Sequence, residues 1–138
     1  MYKFIDLIEK YDLNHTILLR FALFVLLIMH SVPGMFDGGV NIFGSEYLNK
    51  IGFSPIGVPL AWLIKLSHLA AAFLFVFNKK IIFASLITLP VMILGIILIH
   101  YKEGWFVVGG GRNGMEYNIL IIMILLQTII NELRRKNI

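Results

Sequence analysis

The side chains able to do chemistry in this sequence are few, and they stand in or beside long apolar runs. They are Arg20, His30, Lys65, His68, His100, Arg112 and Glu116. His30 closes one apolar run and His100 another. Lys65 and His68 lie three apart within a further run, which puts both on one helix face, about 4.5 Å apart along the axis. A neutral imidazole donates a hydrogen bond from one nitrogen, accepts at the other and titrates near neutrality. A bare cation in mid-bilayer costs about 2.5 to 3.5 kcal/mol, so an ionisable residue there points to a site. These residue types suit a ligand that carries carbonyl oxygens and exchanges protons. Arg20, His30, Lys65 and Arg112 are the candidate binding groups, with Trp105 as a flat wall for a ring; His68, His100 and Glu116 are the candidate proton carriers.

Each of these residues also has a structural reading. Arg20 and Lys65 can snorkel to the nearer membrane surface, and His68 can be an interior histidine held by one hydrogen bond. His30 and His100 stand at span ends, where the helix dipole favours a cation. Trp105 and Phe106 are natural interface anchors. In "NGME", Asn113 caps the last span with Glu116 at the third helical position, a relative of the capping box. Against that, the three glycines before Arg112 allow backbone amides to approach a ligand, and His100, Arg112 and Glu116 can converge on one polar pocket. The glycines form no phosphate-binding loop, because G-x-x-x-x-G-K-[ST] is absent. No metal ligand set is expected: the chain has no cysteine and no Glu-x-x-His pair on a span, which argues against zinc and di-iron centres. His30 and His100, at similar depth, would also suit axial ligation of a haem, although spacing does not show that their helices face each other.

The elements that must position these groups are membrane helices. The chain of 138 residues is 59% hydrophobic and 14% charged, with a mean hydropathy of +0.86. Such values lie outside the range of soluble domains. The apolar runs predict four spans, at about 14–31, 58–77, 81–100 and 115–130, in one all-α four-helix membrane domain covering 1–138. Pro33-Gly34 is expected to end the first span, and Pro90 to bend the third. Before the first span, Tyr2 to Asp12 sets Phe4, Ile5, Ile8 and Tyr11 at helical spacing, which predicts a helix lying in the interface. No cleavage signal follows the first apolar run, so the span is expected to be retained. A long first loop, "IFGSEYLNKIGF" at its middle, should lie on or dip into the opposite interface. Lys3, Lys10, Lys79, Lys80, Arg134, Arg135 and Lys136 fall on one side, against Lys50, Lys102 and Arg112 on the other. That bias predicts both termini in the cytoplasm of a cell in whose inner membrane the protein sits. The net charge of +4 thus reflects topology and anionic lipid rather than nucleic acid.

The segments "LLRFALFVLLIMHSVPGMF", "GFSPIGVPLAWL" and "HYKEGWFVVGGGRNGMEYNILII" resemble, in order and spacing, the DoxX family of small four-span membrane proteins. The resemblance runs from about Leu18 to Leu126 and rests on Arg20, the His30 to Gly34 exit, His100, and Gly114, Glu116 and Tyr117. Where many relatives have a glutamate in the second span, this chain has His68. The resemblance implies a membrane subunit of a quinone-linked oxidoreductase complex; having no cysteine, flavin fingerprint or iron–sulfur motif, the chain would have to take electrons from a partner or a bound cofactor.

The leading expectation is such a subunit, not catalytic alone, binding a quinone near the outer leaflet. In that reading Arg20, His68 or His100 would hydrogen-bond the carbonyl oxygens, and Glu116 or a histidine would pass protons outward. Two alternatives stay open. One is a non-catalytic membrane anchor or assembly factor whose outer loops dock a partner; the other is a solute pathway, which would require a homo-oligomer because four short helices enclose only a narrow pore.

Overall fold

A run of some 20 apolar residues can enter a bilayer only with its backbone hydrogen bonds closed within the segment, which in a chain of this length means helices. The computed structural model describes residues 16–108 and 113–136. Four helices long and apolar enough to cross a membrane are present: α1 (Ile17–Phe36), α3 (Gly57–Val76), α4 (Ile81–Glu103) and α5, which runs from Glu116 to Lys136. Between α1 and α3 lies a helical arm, α2, formed by Gly39–Ile42 running on into Phe43–Phe53. No strand occurs among the described residues. The interfacial helix expected at residues 2–12 lies outside them, as does Arg112.

The four spans close a ring. Helix α1 packs on α3, α3 on α4, α4 on α5, and α5 returns to α1. Their outward faces carry Phe21, Leu66, Phe83, Leu86 and Met123, all exposed, as the lipid-facing side of a multi-pass membrane protein must be. One end of the bundle holds Lys79, Lys80, Arg134 and Arg135 and is called the basic end below. The other, the loop end, holds α2 together with residues 104–108 and 113–115.

Three spans run past their apolar runs, α1 and α4 at the loop end and α5, which reaches Lys136 rather than ending near residue 130, at the basic end. Helix α1 does not stop before Pro33 but carries it inside and continues to Phe36. Proline removes one backbone donor from its helix, and membrane helices accept this when a neighbour supplies another. The carbonyl that loses its helical donor is that of Met29, four residues back; Lys65 Nζ donates to the next one, the His30 carbonyl, at 2.8 Å. Helix α4 likewise passes His100 and ends at Glu103, after a π-helical stretch at Ile96–His100. Widened turns of that kind gather at functional sites. His30 and His100 are therefore not span-terminal residues.

The long first loop is the arm α2, folded down onto the start of α3. Gly38 enters it at φ 81° and Gly52 leaves it at φ 110°, both left-handed values that side chains with a Cβ rarely adopt. A Cβ on Gly44 would collide with the Val58 backbone, and one on Gly57 with the Gly44 carbonyl and the Asn49 side chain. Backbone thus lies directly on backbone. The Asn49 amide oxygen accepts from Gly57 N at 3.0 Å, satisfying one of the free donors at the start of α3. Trp62 Nε1 donates to Asn41 Oδ1 at 2.8 Å, and Tyr47 Oη donates to the Leu98 carbonyl at 3.0 Å. Through these bonds the arm roofs the loop end from α3 across to α4.

The bundle interior toward the basic end is filled by Leu23, Leu27, Ala71, Ala72, Phe75, Ile81, Ala84 and Leu125. The three alanines let helix backbones approach closely, as small residues do at membrane helix interfaces. Where hydroxyls enter this region they pair. Thr128 Oγ1 donates to the Leu125 carbonyl at 2.8 Å and accepts from Ser85 Oγ at 3.2 Å; Thr88 Oγ1 donates to the Ala84 carbonyl at 2.9 Å.

Candidate functional site

At the loop end the interior is hollow. A cavity of about 880 Å³ lies among all four spans under the α2 roof, at the upper end of the size range of small-molecule sites. Most of its wall is apolar, with Leu26 and Leu27 from α1, Leu60 and Ile64 from α3, and Val91 and Leu98 from α4. Into this wall are set His30 of α1, Lys65 and His68 of α3, and His100 of α4. Four of the eight candidate residues thus meet at one cavity. Sequence spacing could place Lys65 and His68 on one face, but it could not show that α1 and α4 turn their histidines toward that face.

His68 is the most unusual of the four. Its side chain is 0% exposed, and neither Nδ1 nor Nε2 has a hydrogen-bond partner. The expected alternative, an interior histidine held by one hydrogen bond, is not what the structure shows. A buried polar group without a partner costs about 1 to 3 kcal/mol. The His30 ring stands 5.6 Å away, centroid to centroid, tilted by 57°. His30 itself is open to the cavity. Lys65 does not snorkel outward: its ammonium is fixed on the His30 carbonyl, which leaves two of its three N–H groups.

His100 is held differently. Its Nδ1 lies 2.7 Å from the Asn113 carbonyl oxygen. A carbonyl can only accept, so Nδ1 carries the proton, and in the neutral ring Nε2 is left as a bare acceptor. The adjacent wall is Gly95, where an added Cβ would come within 3.0 Å of Asn118 Nδ2 and 3.8 Å of His100 Nε2. Only hydrogen fits comfortably at that position. Asn118 in turn donates to the Met92 carbonyl at 3.3 Å.

The remaining candidates stand elsewhere. Arg20 lies at the basic end, 5% exposed, with Nε and Nη1 buried and unpartnered. It does not snorkel, and it is not on the cavity wall. The nearby carboxylate of Glu132 is engaged by Arg135 through bonds of 3.1 and 2.8 Å. Glu116 does not point into the cavity either. Its Oε1 accepts from Val107 N at 2.8 Å and Val108 N at 3.0 Å, and its own N–H donates to the Trp105 carbonyl at 3.0 Å. Helix α5 begins at Glu116 itself, so the capping box expected from Asn113 is replaced by a carboxylate that ties down the preceding loop. A Cβ on Gly114 would strike the backbone of Trp105 and Phe106, which explains why that loop can sit so close. Trp105 and Phe106 are exposed beside it and form no part of the cavity wall.

Sequence reasoning missed Tyr47, Ser67, Gly95 and Asn118, which also line the cavity. Gly95 carried a signal, since a lone glycine within an apolar helical run implies a close approach. No group of three or more metal-ligating side chains occurs among the described residues. Comparison with models of known families, with curated proteins and with solved structures finds no match to this chain.

Proposed function

We propose that this chain is a membrane subunit of a quinone-linked redox complex and holds a quinone-type ring in the loop-end cavity. The observation that carries the reading is His68, an imidazole buried in an apolar wall with both nitrogens unused. A flat ring with oxygens at opposite edges suits such a site: it fills apolar volume and offers hydrogen-bond partners at both ends. Lys65 and His68 supply donors on α3, and His100 supplies an acceptor on α4. The resemblance of the segments around Arg20, His100 and Glu116 to the DoxX family supports the same reading. With no cysteine in the chain to relay electrons or hold an iron–sulfur cluster, electrons would come from a partner or an additional bound group. Because the basic residues gather at the opposite end, the reading places the cavity near the outer leaflet, with the termini in the cytoplasm.

The test is mass spectrometry of molecules extracted from gently purified protein, together with an absorption spectrum of the same sample. Near-stoichiometric quinone is the expected result. A Soret band would assign the cavity to a haem between histidines. Lipid alone in folded protein would favour the anchoring alternative, in which the α2 arm docks a partner.

A further inference from the structure

The hydrogen-bond directions around the cavity distinguish between the two redox forms of such a ring. Three polar side chains on the wall have already given their hydrogens to backbone carbonyls. Tyr47 Oη donates to Leu98 O at 3.0 Å, Ser67 Oγ donates to Ile64 O at 2.8 Å, and His100 Nδ1 donates to Asn113 O at 2.7 Å. What each has left for a ligand is a lone pair: on Tyr47 Oη, Ser67 Oγ and His100 Nε2. These three groups stand on three different elements, α2, α3 and α4. The spare donors on the wall are the two remaining N–H groups of Lys65, the second amide N–H of Asn118, one N–H of neutral His68, and whatever His30 presents.

A quinone has carbonyl oxygens and no hydrogen to donate, so it leaves these lone pairs unused. A hydroquinone carries two hydroxyl donors and still accepts at the same oxygens. Failing to satisfy a buried polar group costs more than satisfying it gains, so the mismatch falls on the oxidised form. Resting on the reading that the cavity holds a quinone-type ring, we infer that it is built for the reduced, dihydroxy form, with His100 Nε2 accepting one hydroxyl proton and Lys65 donating to the oxygen at the other end. The Asn113 carbonyl is then a positioning group, since it sets which nitrogen of His100 is free.

The experiment measures binding of a short-tailed 1,4-benzoquinone and of its hydroquinone, anaerobically, to the purified full chain in nanodiscs. The expected result is hydroquinone bound at least ten-fold more tightly; a ten-fold preference would raise the bound couple's two-electron potential by about 30 mV. His100→Phe, which removes the acceptor, should bring the ratio of the two affinities to within three-fold of unity. Ser67→Ala is a second, milder variant that should lower the same ratio. Equal affinities in the wild type, or tighter binding of the quinone, would overturn the inference while leaving the quinone-site reading in place. An unchanged ratio in folded His100→Phe would overturn the assigned acceptor. Failure of the folded wild type to bind either form would defeat the quinone-site reading, and this inference with it.

Discussion

The two halves of the bundle fill their interiors in opposite ways. Toward the basic end Leu23, Phe75 and Leu125 close the interior, and Ser85, Thr88 and Thr128 all have hydrogen-bond partners. Toward the loop end the same four helices part around about 880 Å³ of space, and His68 is buried beside it with no partner. Interiors are ordinarily close-packed, and buried polar groups are ordinarily satisfied. The basic half is filled and its hydroxyls are paired, with Arg20 Nε and Nη1 as its one unpartnered group among the described residues; the loop half has an unpartnered group and is hollow as well. A sequence shaped only for stability would have filled the cavity with leucine and left histidine out. The hollow and the unused imidazole occur together, which is what a site awaiting a ligand requires.

Replacements in the two halves should therefore behave differently. The largest effect is expected from Phe75→Ala in the filled half, where the surroundings cannot collapse into the space left. A loss of about 3 to 5 kcal/mol is expected, measurable by thermal unfolding in detergent, whereas Leu60→Ala on the cavity wall should cost less than half as much. Next is His68→Leu. Removing an unsatisfied buried group should stabilise ligand-free protein by about 1 to 3 kcal/mol while abolishing quinone retention; a loss of stability would mean that the imidazole has a partner within the protein. Tyr47→Phe removes a single bond from the roof. About 0.5 to 1.5 kcal/mol is expected, and hydrogen exchange should rise across Gly39–Phe53 more than in α5. The smallest effect concerns the Ser85 and Thr128 pair, whose coupling in a double-mutant cycle should be about 0.6 kcal/mol, with about 1.7 as the upper bound for such bonds in membranes.

The sequence made the spans legible because bilayer thickness sets the length of an apolar run. Their ends were less so. Pro33 is expected to end a helix, but α1 carries it inside and continues to Phe36, packed along α3, an element far away in the chain. The arm α2 was hidden for a similar reason: Phe43, Tyr47 and Ile51 do recur at helical spacing in "FGSEYLNKIGF", but its docking depends on Gly44 and Gly57 meeting backbone to backbone. Half of the candidate site residues were identified by type alone, because His30, Lys65, His68 and His100 are costly in a membrane wherever they point. Their convergence was not legible, since helical periodicity defines a face on each helix but not which faces meet. Arg20 shows the limit of such reasoning: it is as costly as the others, yet it belongs to the opposite end.

The most direct test of a ligand site at His68 is photolabelling with an azido-quinone in membranes, followed by peptide mapping. Labels between Leu60 and His68 on α3 and between Val91 and His100 on α4, displaced by unlabelled quinone, are expected. Labels confined to lipid-facing residues such as Phe21, Leu86 and Met123, and insensitive to competitor, would contradict a quinone site in the cavity.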